Sequence, residues 1–141
     1  MIMAIRTAIE IEEMMYGALE SCFEGKISGT LYKEGCRPLD SELEDAVIAV
    51  GKTSAGQIQQ GRAIVNIYVP DIDNNSKRLV PDKNRLSELA NMKDNLLGVL
   101  NSADTDYLFR LANTPEAVAA TDIKQHFVNI NLDFECITFN N

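Results

Sequence analysis

The sequence predicts an α+β protein in which two helices pack on one face of a mainly antiparallel β-sheet. Three observations predict this fold class. A long alternating stretch closes the chain, two amphipathic stretches have helical periodicity, and shorter alternating or β-branched segments lie between and after them. A sheet with one apolar face must bury that face against other elements, and two helices packed on it are the simplest arrangement.

The closing stretch, residues 124–139, alternates apolar and polar side chains with a period of two. One side carries Val128, Ile130, Leu132, Phe134 and Cys136, and the other carries Asn129, Asn131, Asp133 and Glu135. Such alternation is typical of a strand with one side on a core and one towards water. Because strands usually have about five or six residues, this strand either crosses the whole domain or projects beyond it.

The first helix is predicted from Ile2 to Phe23, and it ends near Gly25. Its apolar positions at helical spacing are Ile2, Ile5, Ile9, Tyr16, Leu19 and Phe23. Ile11, Met14 and Met15 widen this apolar stripe. For Met14 and Met15 two interpretations stay open, packing in the core or a surface for a partner in an oligomer.

The second helix is predicted from an N-cap at Asp82 to about Leu100. Shorter strands are predicted over residues 27–33, 46–52, 62–69 and 107–111, and the polar, glycine-rich residues 53–61 form a hairpin tip. Residues 114–120 allow either one helical turn or the bend of a hairpin into the last strand. The hairpin is favoured.

Length and composition predict a single domain over residues 1–141. The longest apolar runs are too short to cross a membrane, and acidic residues interrupt the start of the chain where a secretion signal would be apolar. A cytoplasmic location is therefore expected. The net charge of −8 and the acidic first 45 residues argue against a nucleic-acid surface. Cys22, Cys36 and Cys136 have no CxxC spacing, so buried free thiols are expected.

Two stretches resemble ligand-binding motifs only in part. Gly51-Lys52-Thr53-Ser54 matches the end of a phosphate-binding loop, but Ala46 replaces the first glycine, so a hairpin end is predicted instead. Four positions of a calcium loop are matched by Asp71, Asp73, Asn75 and Asp82. However, Ser76 stands at the glycine position, and a strand precedes the loop. A solvated connection is predicted, and a small ligand- or calcium-binding accessory domain is the alternative function.

No arrangement of side chains in the sequence predicts catalysis or a cofactor. His126 is the only histidine, and Cys136 lies ten residues along the same strand, too far for the two to act as base and nucleophile. The sequence therefore predicts a structural or surface histidine and a protein that is not an enzyme. Phe127 lies on the polar side of the last strand, where an aromatic side chain indicates either a partner surface or crowding by a neighbouring hairpin.

The order of these elements resembles that of the tail-terminator and tail-completion proteins of long-tailed bacteriophages and their prophages. The resemblance rests on the leading amphipathic helix, the long polar hairpin tip, the helix after Pro81-Asp82, and the closing Lys-Gln-His-Phe-Val-Asn-Ile-Asn-Leu of residues 124–132. It implies a non-enzymatic virion component that forms a ring, commonly a hexamer. Such a ring caps the tail tube and joins it to the head connector, after assembly in the host cytoplasm. Open sheet edges and a long strand that pairs across subunits agree with this expectation.

Overall fold

The structure, a computed structural model, describes residues 6–54, 58–103, 106–120 and 122–136. These ranges contain the helices α1 (Ala8–Phe23), α2 (Lys83–Ala90) and α3 (Lys93–Ser102), and the strands β1 (Leu31–Lys33), β2 (Ala46–Val50), β3 (Gln59–Pro70), β4 (Ile72–Asp73), β5 (Leu79–Val80), β6 (Tyr107–Leu111), β7 (Glu116–Ala120) and β8 (Gln125–Cys136). Across these ranges, none of the helices combines the length and the hydropathy that a membrane span requires.

Six of the strands form one sheet, in the order β1, β2, β3, β8 and then β6. Strand β7 also pairs with β8, so β6 and β7 follow one another along the same side of β8. Only the β1–β2 pair of this sheet is parallel. Helices and strands bury one common apolar cluster. The predicted α+β class, with helices on one face of a mainly antiparallel sheet, is confirmed.

Strand β8 is the centre of the sheet. It pairs with β3 along all twelve of its residues and with β6 and β7 on its other side. Its five alternating apolar side chains from Val128 to Cys136 are at most 3% exposed, which confirms the predicted inward side. Because both sides of β8 are paired, the expectation that this strand pairs across subunits is wrong for residues 125–136. Residues 137–139 of the predicted strand lie outside the described residues.

Helix α1 begins with a capping box, in which Thr7 accepts from the Glu10 N–H and the Glu10 side chain accepts from the Thr7 N–H. Its buried side matches the predicted stripe only in part, because Ile9 is 79% exposed whereas Ile11 and Met15 are fully buried. The apolar residues of this segment are consistent with two different buried sides of the helix. The structure buries the side that includes Ile11 and exposes the side that includes Ile9. The predicted residues 2–5 lie outside the described part.

The predicted second helix is interrupted at Asn91 and Met92 and forms α2 and α3. The two halves pack in different places, α2 against β3 and β8, and α3 against α1 and β6. Their buried leucines are Leu86, Leu89, Leu96 and Leu100, all from the predicted stripe. Because the chain interrupts the helix at Asn91 and Met92, both helices can bury their apolar sides.

Three shorter segments differ from the prediction. Residues 116–120 form strand β7 rather than a helical turn, so the favoured hairpin includes a strand before its bend. The first predicted strand, residues 27–33, is shorter in the structure, where β1 begins at Leu31 and Gly29 before it lies against Asp45, whose Oδ1 would be 1.9 Å from a Cβ at this glycine. Strand β3 already begins at Gln59, so the predicted tip is shorter than residues 53–61, and residues 55–57 lie outside the described part.

A side chain at the end of α3 forms hydrogen bonds with the backbone of β6. The Asn101 side chain accepts from the Phe109 N–H at 2.7 Å and donates to the Phe109 carbonyl at 2.9 Å. We expect Asn101→Ala to lower the free energy of unfolding by about 1–2 kcal/mol, because two hydrogen bonds to backbone groups are lost. Urea unfolding measures this change. The control is Asn95→Ala on the same helix, and an equal loss in both variants would contradict a specific role for Asn101.

Candidate interaction surface

The helix-free face of the sheet is the candidate functional surface. Strand register places these side chains on it: Val47, Ile64, Asn66, Tyr68, Leu108, Arg110, Val118, Phe127, Asn129, Asn131, Asp133 and Glu135. Every buried apolar side chain of the described strands in this sheet lies on the opposite face. The helices leave this face uncovered, and the loop between β1 and β2 contacts it at one end, where Arg37 lies over Tyr68.

Amide and charged side chains cover the centre and one end of this face. Asn129 donates to Asn66 at 2.8 Å, and Asn131 donates to Asn129 at 2.7 Å and to Asn113 at 3.2 Å. Towards the Cys136 end of β8, an ion pair of 3.0 Å joins Arg62 to Asp133 across β3 and β8. These hydrogen bonds fix the side chains in one pattern, although an exposed ion pair adds little stability.

Aromatic side chains form a cleft at the other end of the face. The rings of Tyr68 and Phe127 lie 5.1 Å apart between their centroids, and the Arg37 guanidinium lies 4.1 Å from the Tyr68 centroid. We name this feature the aromatic cleft. It encloses about 480 Å³ and is lined by Arg37, Pro38, Leu39, Tyr68, Ala119, Ala120, Asp122, Ile123 and Phe127. Leu39 is 94% exposed, so an apolar side chain stands at its rim.

A buried ion pair holds the loop that forms one wall of the aromatic cleft. Asp45 is fully buried, and its Oδ2 lies 3.0 Å from Nε of Arg37. Arg37 also donates to the side chain of Gln125 at 2.9 Å and to the Leu43 carbonyl at 3.2 Å. A buried carboxylate requires such partners. The loop between β1 and β2 is thereby attached to the start of β8.

The structure separates the three candidate oligomer-interface residues. Phe127 is half-buried and contributes to the aromatic cleft, where both a partner surface and packing by the neighbouring β7 are consistent with its position. Met15 is fully buried in the core, so the partner interpretation is wrong for this residue. Met14 is half-buried and packs against the core. The three cysteines are free, but Cys36 is exposed, which corrects the expectation that all of them are buried.

The residues of the partial calcium loop have separate roles. Asp71 Oδ1 lies 2.7 Å from Nδ1 of His126, Asp73 accepts from the Asn75 N–H, and Asp82 caps α2 by accepting from the Arg85 N–H. Among the described residues, no group of three or more His, Cys, Asp and Glu side chains is arranged to hold a metal ion. The His126–Asp71 pair ties the start of β8 to the segment that follows β3.

The end of β2 forms the predicted hairpin. The Gly51 N–H donates to the Arg62 carbonyl at 2.9 Å, and the Ser54 N–H donates to the Gln60 carbonyl at the same distance. These backbone groups are therefore committed to the hairpin ladder. Residues 51–54 therefore resemble a phosphate-binding loop in sequence but form part of a hairpin in the structure.

A small hairpin that sequence reasoning missed projects from the end of β3. Strands β4 and β5 pair with each other in a separate two-stranded sheet. We name residues 71–80 the arm. The turn-forming run Asn74-Asn75-Ser76 between Ile72 and Leu79 is the sequence signal for this hairpin, where the sequence analysis predicts only a solvated connection.

Arg85 joins α2 to the loops before β1 and β2. It contacts both carboxylate oxygens of Glu44, at 2.6 and 2.8 Å, and donates to the Lys26 carbonyl at 2.6 Å. The bidentate hydrogen bonds from Arg85 lower the pKa of Glu44 below its ordinary value of 4.5, against the opposing effect of burial.

The lowered pKa makes stability depend on pH. Because Glu44 releases its proton more readily in the folded state, its contribution is complete above the ordinary value of 4.5 and is lost as pH falls through the lower folded value. We expect Glu44→Gln to destabilise the protein at pH 7 and to flatten the fall of stability below pH 4.5, measured by urea unfolding across pH. Glu88→Gln, at the exposed end of the same network, is the control and should change the profile less.

Comparison with known proteins supports the fold alone. No protein-family model and no curated protein matches the chain. Several solved structures match, and one of them, whose name states no function, matches over 97% of this chain and 99% of its own length, with a TM-score of 0.53 and 14% identity. At this identity the match shows a shared α+β arrangement along almost the whole chain.

Proposed function

We propose that this chain is a non-enzymatic subunit of a phage tail-completion ring, which caps the tail tube and joins it to the head connector. The observation that carries this proposal is the helix-free sheet face with the aromatic cleft at one end. A half-buried aromatic pair beside an exposed leucine is the kind of anchor on which protein interfaces depend.

The arm and the layout of the chain support the same function. The order of elements that the sequence predicts resembles that of tail-terminator proteins, and the arm adds a second surface with exposed apolar side chains. Within the described residues, His126 is paired with Asp71, and Asp45, Glu44 and Asp82 are engaged in structural hydrogen bonds or ion pairs. An assembly role uses these surfaces without requiring a reaction centre.

Mass measurement and imaging test the proposal. Light scattering of the purified chain, over a range of concentrations, is expected to give a closed oligomer, and negative-stain microscopy is expected to show rings. Since a ring subunit can also assemble only on its tube, the chain is also mixed with the tube protein encoded beside its gene. Absence of rings both alone and on the tubes, or neighbouring genes unrelated to phage tails, would contradict the proposal.

A further inference from the structure

Strand β7 leaves its outer edge open. It pairs with β8 on one side, and in the described part of the chain no strand pairs with its other side. Its sequence, Glu-Ala-Val-Ala-Ala over residues 116–120, has no lysine or proline, its register with β8 has no bulge, and no charged side chain points to the helix-covered face. An outer strand without such protection is a template for pairing with another chain.

The ladder along β8 determines which backbone groups of β7 point outwards. The Ala112 N–H donates to the Asn131 carbonyl at 2.9 Å, so the odd-numbered residues of β8 direct their backbone groups to this side of the strand. The even-numbered residues of β7 lie opposite odd-numbered residues of β8 and therefore bond to β8. The N–H and carbonyl groups of Ala117 and Ala119 consequently point away from the sheet, and these two residues are placed symmetrically about Val118.

The other outer strand on this side of β8 is protected where β7 is not. By the same alternation the backbone groups of Phe109 in β6 point outwards, and the Asn101 side chain bonds both of them, at 2.7 and 2.9 Å. Among the hydrogen bonds of the described residues, none reaches the outward groups of Ala117 and Ala119. This difference identifies β7 as the edge that is open to a further strand.

The side chains of β7 are uncovered on the helix side as well. Ala117 and Ala119 point to the helix-covered face, yet both are exposed. A groove of about 300 Å³ lies between β7 and α2, and it is lined on the helix side by Leu86, Ser87 and Ala90. The cover that the helices give to the sheet therefore stops at β7, and a strand added to β7 lies beside this groove.

We propose that β7 pairs with β7 of a second copy, antiparallel and about a twofold axis at Val118. In this register Ala117 of each copy lies opposite Ala119 of the other, and the two residues exchange both N–H···O=C bonds, so all the outward groups are paired. Val118 lies opposite Val118 of the other copy, and Glu116 lies opposite Ala120. The symmetric placement of the open groups makes the edge complementary to itself, which is what a twofold contact requires.

Electrostatic repulsion does not oppose this register. The two Glu116 side chains lie at opposite ends of the paired strands, about 13 Å apart along them, which exceeds the screening length of about 8–10 Å at physiological salt. Asp122 and Lys124 follow the strand with opposite charges, so the end of β7 that meets Glu116 has no net charge. The contact is thus made by backbone groups and small apolar side chains.

This contact goes beyond the proposed function, because the free chain makes it without a tail tube. The twofold axis is perpendicular to the sheet, so the helices of both copies lie on the same side and the two sheets become continuous. Each copy contributes one strand of five residues. Since small interfaces are typical of weak or transient complexes, we expect a dimer that depends on protein concentration.

Charge at the twofold axis tests the contact. Val118→Lys places two like charges directly opposite each other, and we expect it to weaken self-association roughly tenfold, measured by sedimentation of the full chain over a range of concentrations. An equal mixture of the Val118→Lys and Val118→Glu chains is expected to associate again, because opposite charges then face each other. Leu108→Lys is the matched control, since Leu108 is 48% exposed on the protected strand β6, and it should leave association unchanged.

Disulfide formation tests the register. The exposed Cys36 is first replaced by Cys36→Ser. Val118→Cys is then expected to form a disulfide-linked dimer under mild oxidation, because opposite residues of a pair without ladder hydrogen bonds have Cα atoms about 4.5 Å apart, within the range of disulfides. Glu116→Cys is the control and should not link to itself. A mixture of the Glu116→Cys and Ala120→Cys chains is expected to form the disulfide.

The possible outcomes separate this contact from the proposed function. A wild-type chain that stays monomeric at millimolar concentration, or equal disulfide formation by Val118→Cys and Glu116→Cys, would overturn the contact. Capping of tail tubes by such a chain would leave the proposed function standing. A dimer with the expected disulfides that neither forms rings nor caps tubes would support the contact and contradict the proposed function. Thermal melting of every variant establishes that each one is folded.

Discussion

Arg37→Ala is expected to lower the free energy of unfolding by about 3–5 kcal/mol. The substitution leaves Asp45 with hydrogen bonds from Ser41 and Thr30 but without its cation, and a buried carboxylate that has lost its ion-pair partner is strongly destabilising. The side chains of Asp45 and Arg37 are 1% and 10% exposed, so solvent screens this pair only weakly. Urea unfolding at pH 7 measures the loss.

The matched control for this prediction is Arg62→Ala. Its ion pair with Asp133 has the same length of 3.0 Å, but the two side chains are 55% and 34% exposed. An exposed pair contributes about 0–1 kcal/mol, so the control isolates the effect of burial. Similar losses in both variants would contradict a structural role for the buried pair.

The alternation of the last strand was sufficient to predict its inward side, whereas its place in the sheet was not predictable. Period-two alternation identifies the sides of a strand from local sequence alone. Pairing depends on partners distant in the chain, such as β6 and β7, and one of these was not recognised as a strand. Of the two predicted alternatives, the strand crosses the domain over residues 125–136, the expected pairing across subunits is wrong there, and every predicted inward residue from Val128 to Cys136 is buried.

The first helix shows a different limit of periodicity. Ile9, Ile11, Met14 and Met15 together allow more than one apolar stripe at helical spacing. The structure buries Ile11 and Met15, because the packing of α1 on β1 and β2 decides the rotation of the helix. Met15 was consequently a wrong candidate for an interface.

The candidate site was predictable at one residue. Phe127 was recognised because an aromatic residue interrupts a polar side of a strand. Its neighbours Tyr68 and Arg37 come from β3 and from the loop before β2, and only the β3–β8 register and the buried Asp45 bring them to Phe127. Contacts between residues this far apart in the chain cannot be predicted from a local sequence pattern.

The paired state of β8 also changes how assembly is expected to occur. Since β8 has no free side over residues 125–136, copies cannot join by adding a strand to it. The remaining surfaces are side-chain surfaces, the aromatic cleft and the arm, together with the outer strands of the sheet. Contacts made by side chains are sensitive to single substitutions, which makes the proposed assembly open to mutational tests.

Phe127→Ala is expected to weaken the proposed binding to a tail-tube protein by roughly 30-fold, which corresponds to a loss of about 2 kcal/mol for a central aromatic anchor. The substitution removes the ring that packs at 5.1 Å from Tyr68 and opens the aromatic cleft. Binding is measured by sedimentation of the chain with assembled tubes. Thermal melting shows how much of the effect comes from lost stability.

Leu108→Ala is the matched control, because Leu108 is 48% exposed on the same helix-free face but lies at its opposite end, across from Glu135. Val118→Asp gives an independent test of the cleft end, since Val118 pairs with Phe127 and is already 37% exposed on an outer strand. If Leu108→Ala and Phe127→Ala reduce binding equally, the interface extends over the whole helix-free face and is not centred on the aromatic cleft. Unchanged binding in both Phe127→Ala and Val118→Asp would exclude the aromatic cleft as the anchor, because a buried interface does not tolerate an unpaired carboxylate at its centre.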